Sequence, residues 1–281
     1  MRDELRRRPQ YAAAARRLAA NMLRDADEDA ALGDMLRDAG RTVAALSAIY
    51  LDASGGLTLS RLKTFIAGFG LVSPGRARAL LSLMLHLGYV RRHPGSRPAR
   101  YGLTPQFLAS YARHEASLLD AAAIVEPAVR RVQRGLAEPA VLRRLVVEQG
   151  DAFVAGSGQT RAFDGWYRIF MHRLAGIQVL HGLVAAADSF PPLGAIPFTS
   201  ADMARRFQVS RVHVSRMIHD AAAGGFLVRE AGGVRFTAAG REALDWLYAS
   251  RLCIHLACAA RTLQAHPEAG GQEAAALALS V

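Results

Sequence analysis

The sequence predicts a mainly α fold with small β wings, and three observations lead to that prediction. The chain has 281 residues, 51% of them hydrophobic and 21% charged, a balance typical of folded globular proteins and a length that allows two domains. Apolar residues recur at helical spacing through most of the chain. Two short apolar runs that are interrupted by glycines, at 89–103 and 226–236, instead predict β-hairpins.

The charge balance limits the classes of partner. The formal net charge is +11, from 35 basic and 24 acidic residues, which favours polyanions, nucleic acid first and an anionic membrane second. The N-terminus MRDELRRRPQ lacks the apolar core of a secretory signal, and no uncharged apolar run reaches about 18 residues. Cys253 and Cys258 are interpreted as buried thiols. Together these features predict a cytoplasmic protein with no membrane partner.

Residues 1–54 are expected to form N-terminal helices. YAAAARRLAANMLRDA has an apolar and a charged face at helical spacing, and a second helix is expected over about 34–51. Neither stretch carries residues that suggest chemistry, so we interpret both as supports for the rest of the fold.

Residues 55–105 are expected to form the first of two similar units. A short helix should begin near Ser60 and end in a turn at 68–72. Ser73 is a favourable N-cap for a second helix, because Pro74 stands at its first position. Gly88 should end that helix, and a long basic hairpin comes after it.

Residues 106–190 are expected to form connecting helices, similar to those that hold a dimer together. Glu-Pro pairs at 126–127 and 138–139 predict breaks, and the glycine-rich stretch 150–165 predicts a loop or a helix end. Because apolar residues lie nearly all round 166–187, we expect one central, buried helix there.

Residues 191–237 are expected to form the second unit. A proline-rich linker, SFPPLGAIP, leads into a short helix that begins at Thr199 or Ser200. Ser210 is the N-cap of the next helix, in which Val214 and Ile218 lie on one buried stripe. Two short strands around glycines 232 and 233 come next. A last helix is expected within 238–266, and residues 267–281 are expected to be a flexible tail.

The two units repeat one element order: short helix, turn, capped helix, glycine, strand, hairpin and a Thr that leads into another helix. Ser73–Gly88 has the same span as Ser210–Gly225, and internal repetition is a stronger signal than a single motif. This order is that of a winged helix-turn-helix. The sequence therefore predicts two winged helix-turn-helix domains in one chain, joined by long helices as a pseudo-dimer.

Part of the second unit resembles known regulators. VSRVHVSRMIHDAAAGGFLVRE is similar to the recognition helix and first strand of MarR-type and Crp/Fnr-type bacterial regulators, and FTAAGREAL resembles the end of a MarR-type wing. The resemblance implies a DNA-binding transcription regulator. MarR-type chains carry one winged helix and form dimers, whereas this chain carries two, so a palindromic target is not implied.

By that resemblance, the second recognition helix would present side chains to base edges, and its flanks would contact phosphates. Arginine can bond guanine in a bidentate manner and valine can contact a thymine methyl group, while a helix N-terminus suits a phosphate. The residues predicted to contact DNA from the second unit are Ser210, Arg211, Val212, His213 and Arg216 on the helix, Thr199, Ser200, Arg205 and Arg206 beside it, and Arg229 and Arg235 on the wing.

The first unit is predicted to bind the DNA backbone more than it reads bases. The corresponding face of its helix includes Pro74, Gly75 and Ala79 and is poor in groups that read bases, although its wing is longer and more basic. Binding of protein instead of DNA stays an alternative for this unit. Its candidate residues are Arg76 and Arg78 on the helix and Arg91, Arg92, His93, Arg97 and Arg100 on the wing.

The predicted function is a sequence-specific, double-stranded DNA-binding transcription regulator. The alternatives are a plasmid- or phage-type replication initiator and a winged-helix scaffold that binds protein. No nucleophile, metal or phosphate-binding motif is recognised, since GSGQT at 156–160 lacks the P-loop lysine, so we predict no enzyme and no cofactor. A small-molecule effector and a homodimer stay open. Trp166, Tyr167 and Phe170 would line an effector pocket or simply pack in the core.

Overall fold

The computed structural model describes residues 1–68, 72–156 and 163–266. Two sets of short strands alternate with helices along the chain. The helices are α1 Arg2–Arg7, α2 Tyr11–Glu28, α3 Ala30–Met35, α4 Ala39–Ala53, α5 Leu59–Ala67, α6 Pro74–His86, α7 Pro105–Ala122, α8 Arg130–Gly135, α9 Pro139–Gly156, α10 Asp164–Phe170, α11 Gly176–Ala185, α12 Ser200–Arg206, α13 Arg211–Ala223 and α14 Ala238–Ala265. The strands are β1 Leu57–Thr58, β2 Val90–Arg92, β3 Arg100–Leu103, β4 Ile196–Pro197, β5 Leu227–Glu230 and β6 Gly233–Phe236.

The prediction of a mainly helical chain with small strands is confirmed. The strands form two antiparallel three-stranded sheets, in the orders β1-β3-β2 and β4-β6-β5. Each sheet encloses a pair of helices in the chain order, α5–α6 in the first repeat (residues 57–104) and α12–α13 in the second repeat (residues 196–237). The predicted repetition therefore extends to the sheets, each of which takes its third strand from the segment before the helix pair.

The two repeats end with the same hydrogen bonds. The Thr104 hydroxyl donates to the Gly88 carbonyl at 2.7 Å, and the Thr237 hydroxyl donates to the Gly225 carbonyl at 2.6 Å. Gly88 and Gly225 have φ values of +69° and +76°, a region that glycine enters without steric cost. In each repeat, this bond joins the turn after the second helix to the N-cap of the helix that comes after the hairpin.

The single helix predicted over 166–187 is wrong. The structure has α10 and α11 instead, separated by a turn in which Ala175 takes a left-handed φ of 58°. The Ala175 N–H donates to the Arg37 carbonyl at 3.0 Å, and the Ala39 N–H donates to the Met171 carbonyl at 2.7 Å. The chain therefore leaves the helix in order to bond a segment that is distant in the sequence.

Other boundaries also differ from expectation. The helix expected over 34–51 is divided, because the Asp38 carboxylate accepts from the Arg41 N–H at 3.0 Å and starts α4 there. The glycine-rich stretch 150–165 is helical up to Gly156 and again from Asp164, and 157–162 lie outside the described residues. So do residues 69–71, where the first repeat was predicted to turn, and residues 267–281, which were predicted to be a flexible tail.

The hydrophobic core runs through a central bundle of long helices. Helix α2 packs on α7 and α11, and α14 packs on α7 and α9. Tyr248 of α14 is fully buried and its hydroxyl lies 2.6 Å from His181 Nδ1 of α11. Both cysteines are buried as predicted, and burial raises the pKa of Cys258 to about 12.

Two bridging segments (residues 34–41 and 171–175) connect this bundle to both repeats. Asp38 accepts a hydrogen bond from Arg76 of α6 at 2.7 Å. Arg37 donates to the carbonyls of Phe207 and Gln208, in the turn between α12 and α13. Arg173 forms an ion pair with Asp220 of α13 at 2.5 Å. Segment 34–41 therefore contacts both repeats, through Asp38 and Arg37, and segment 171–175 contacts the second repeat through Arg173.

Candidate nucleic-acid interface

Helix α13 is positioned by its apolar stripe and its N-cap. Val214, Met217, Ile218 and Ala221 are buried, so the helix has one face against the repeat. The Ser210 hydroxyl accepts from the His213 N–H at 3.1 Å and begins the helix. The opposite face is left exposed along the length of the helix.

That exposed face, together with one strand residue, forms an open concavity. Its lining residues define what we call the basic groove: Arg211, Val212, Ser215, Arg216 and His219 of α13 and Arg229 of β5. The five helix residues follow one another at i, i+1, i+4, i+5 and i+8, which is one face of a helix. Val212 is 61% exposed on this face, an unusual position for an apolar side chain in a helix that is otherwise amphipathic.

The positive charges of the basic groove have no neighbouring carboxylate among the residues that the structure describes. Arg211, Arg216 and Arg229 are exposed. Within the described part of the chain, no carboxylate lies within 4.0 Å of any of the three guanidinium groups. By contrast, Arg235 of the same hairpin is paired with Glu230, its Nε 2.6 Å from the carboxylate. The three free guanidinium groups are therefore available to an external anion.

His213 was predicted to lie on the exposed side of α13, and this placement is wrong. Its Nε2 lies 2.9 Å from the Leu174 carbonyl in the turn between α10 and α11, so Nε2 carries a proton and donates. The ring is half-buried against the bridging segment 171–175. His213 thus fastens α13 to the bundle and does not point toward a ligand in the basic groove.

The residues predicted to contact phosphates beside α13 are largely engaged with neighbours. The Thr199 hydroxyl caps α12 and donates to Asp202 at 2.6 Å, which lowers the pKa of that carboxyl. Arg205 pairs with Asp202 at 3.1 Å, and Arg206 pairs with Asp27 of α2 at 3.0 Å. Ser200 is half-buried as the first residue of α12. A carboxylate stands beside each of these arginines, so they offer less charge to an anion than the basic groove does.

Helix α6 of the first repeat presents a different surface. Arg76 is tied to Asp38, while Arg78 is exposed and, within the described residues, has no ion pair. Leu85 is 38% exposed farther along the helix. Where α13 has a cluster of polar and basic groups, α6 therefore offers one free arginine among small and apolar residues.

Among the described residues, the hairpin of the first repeat carries more arginines without an ion pair than its helix does. All four of its arginines are exposed, and in the described part of the chain none has a carboxylate within 4.0 Å. The His93 ring lies across Gly102 of β3, where a Cβ atom would meet His93 Nε2 at 2.8 Å. The hairpin arginines are Arg91, Arg92, Arg97 and Arg100.

Two residues of the basic groove, Ser215 and His219, were not among the predicted contacts. Helical spacing could have identified them, since they lie four and eight residues after Arg211 and share its face. Both are polar groups that can donate and accept hydrogen bonds. They extend the basic groove toward the C-terminal half of α13.

Neither a metal centre nor a membrane-spanning helix is found in the described part of the chain. Among these residues, no group of three or more His, Cys, Asp or Glu side chains is placed to hold a metal ion. Within the same ranges, no helix is both long enough and apolar enough to cross a membrane. No family model, no curated protein and no solved structure matches this chain.

Proposed function

We propose that this protein is a sequence-specific, double-stranded DNA-binding transcription regulator that uses two unequal winged helix-turn-helix units. One observation carries the proposal: three unpaired arginines surround an exposed face of α13 that is rigidly backed by a buried stripe. A cluster of free guanidinium groups suits phosphate and guanine, which it can bond in a bidentate manner. The net charge of +11 attracts the same class of partner.

The second repeat is the unit that would read bases. Arg211 and Arg216 can bond guanine O6 and N7, and Val212 between them can contact a thymine methyl group. Arg229 would contact the backbone beside the groove that α13 enters. Because α13 is held by His213 and Asp220, it would meet DNA without a large rearrangement.

The first repeat would bind the backbone. Its four free arginines lie on the hairpin, and its helix offers few groups that distinguish one base from another. The exposed Leu85 on α6 favours the alternative that this repeat contacts protein. A replication initiator would use the same two units on DNA, but its binding sites would lie near a replication origin and not near promoters.

Selection of bound fragments from genomic DNA, combined with a salt series, tests the proposal. A protein that contacts several phosphates should lose about 10³-fold or more in affinity between 50 and 200 mM salt. A recurrent motif should emerge, near promoters for a regulator and as repeats near an origin for an initiator. Absence of binding, or affinity that does not change with salt, would contradict the proposal.

A further inference from the structure

Val212 is an apolar side chain that α13 leaves in contact with solvent. The other large apolar residues of this helix, Val214, Met217 and Ile218, are buried in the second repeat. Val212 is instead exposed beside Arg211, at the second position of the helix. Because single exposed apolar groups are common on protein surfaces, the role of Val212 has to be inferred from the groups that surround it.

The side chains beside Val212 are polar or basic. Ser215 and Arg216 lie three and four residues after it, and side chains at these spacings are neighbours on the surface of a helix. Together with Arg211 and Val212 they line the basic groove. Over the ranges that the structure describes, neither arginine has a carboxylate within 4.0 Å. One small surface therefore combines an apolar group with two guanidinium groups that have no ion pair.

The major-groove edge of DNA offers partners for both kinds of group. Guanine presents O6 and N7, which a guanidinium can bond in a bidentate manner, and thymine presents its C5-methyl group. Cytosine lacks that methyl group, whereas 5-methylcytosine carries it at the same ring position. An apolar contact that buries one methyl-sized group is worth about fourfold in affinity. A valine beside arginines can therefore distinguish pyrimidines by their C5 substituent.

Helix α6 of the first repeat has a glycine where α13 has Val212. The hydroxyls of Ser73 and Ser210 cap the two helices with the same hydrogen bond, from the N–H three residues later, so α6 and α13 can be aligned on their caps. Gly75 then takes the place of Val212. Because glycine has no side chain to contact a methyl group, methyl dependence should be confined to the DNA that the second repeat contacts.

We propose that the basic groove reads the C5-methyl group of a pyrimidine, with Val212 as the residue that determines this specificity. The inference rests on the proposed binding of double-stranded DNA. Arg211 or Arg216 bonds a guanine next to that pyrimidine, and Val212 contacts the methyl group. The preferred ligand is therefore duplex DNA with a thymine or a 5-methylcytosine next to guanine, and unmethylated cytosine at that position binds more weakly.

Removal of single methyl groups from the DNA tests this inference. Each thymine of a site selected from amplified, unmethylated genomic fragments is replaced in turn by deoxyuridine, which pairs in the same way without the methyl group. Fluorescence anisotropy of the full chain should show about fourfold weaker binding when the replaced thymine is the one that Val212 contacts. Where cytosine replaces that thymine, methylation of the cytosine at C5 should strengthen binding by a similar factor.

V212A separates contact by the valine from an effect of the methyl group on DNA shape. The variant should bind the thymine and deoxyuridine sites equally, because it lacks the two methyl groups of valine, whereas a shape effect would persist. Alanine is the better helix former, so far-UV circular dichroism should match that of the unaltered protein. V212I is the matched control, because it keeps a branched apolar side chain and should retain the methyl dependence.

A second control removes charge from the hairpin of the first repeat. R91Q combined with R92Q should weaken binding of the thymine and deoxyuridine sites by the same factor and leave the ratio of the two affinities unchanged. A ratio of one at every position, or a ratio that V212A does not change, would overturn methyl reading, while salt-dependent binding would leave the DNA-binding proposal in place. Absence of DNA binding by the unaltered protein would overturn both.

Discussion

The arginines of the second repeat differ in what surrounds them, and this difference separates base contacts from phosphate contacts. R211A and R216A should each cost about 1–3 kcal/mol on the preferred site and relax its specificity. R205A is the control, since Arg205 is also exposed but already faces Asp202 at 3.1 Å. Fluorescence anisotropy on the selected site and on random DNA, at one salt concentration, measures both effects. Equal losses on the two DNAs would show that the groove arginines contact only phosphates.

The buried histidines predict how stability depends on pH. Burial lowers the pKa values of His181 and His255 below the unfolded value of about 6.5. Below that pH the unfolded chain takes up protons that the folded chain refuses, so stability is full above about pH 6.5 and falls as the pH falls. We expect the free energy of unfolding in urea to decrease from about pH 7 to about pH 5.5, by up to about 1.4 kcal/mol per pH unit for each histidine.

H181Q tests how much His181 contributes to the slope of the free energy of unfolding against pH. Glutamine cannot take up a proton, so the slope between about pH 7 and about pH 5.5 should become shallower even if the variant is less stable at every pH. H86Q is the control, because His86 is exposed on α6 and should leave the slope unchanged. An unaltered slope in H181Q would mean that His181 does not control the acid sensitivity.

Glycine positions within helices show how each element is constrained by its neighbours. A Cβ on Gly240, near the start of α14, would overlap the Phe226 carbonyl, whereas a Cβ on Gly75 of α6 would meet no atom within 4 Å. G240A should therefore destabilise the protein by about 1–3 kcal/mol. G75A should stabilise it by about 0.5–1 kcal/mol, because alanine restricts the unfolded chain. Urea unfolding of both variants measures the contrast, and similar effects of the two would contradict this packing.

Elements that depend on local signals were predictable, and elements that depend on distant contacts were not. Ser73, Ser210 and the apolar stripe of α13 indicated α6 and α13, because caps and periodicity act within one or two turns. The break between α10 and α11 depends on hydrogen bonds to Arg37 and Ala39, which no local pattern announces. The same turn accepts a hydrogen bond from the His213 ring, so the missed break also explains why His213 was placed on the wrong side of α13.

At the scale of the whole molecule, the described structure holds two unlike units on a single scaffold. The bridging segments bond to α6 through Asp38 and to the α12–α13 turn through Arg37. Among the described residues, the arginines without an ion pair lie mainly on the hairpin in the first repeat and mainly on α13 in the second. This asymmetry, which the sequence already suggested, predicts a division of work between binding the backbone and reading bases.

Removal of charge from the first hairpin tests that division. R91Q combined with R92Q should weaken binding by a similar factor on the selected site and on random DNA, because phosphate contacts carry no sequence information. The slope of log affinity against log salt should become shallower by about 1 for each phosphate contact that is lost. Neither arginine has an ion pair within the described residues, so the fold should not change. A loss confined to the selected site would assign base reading to the first repeat as well, and an unchanged affinity and salt slope would favour its role as a protein-binding surface.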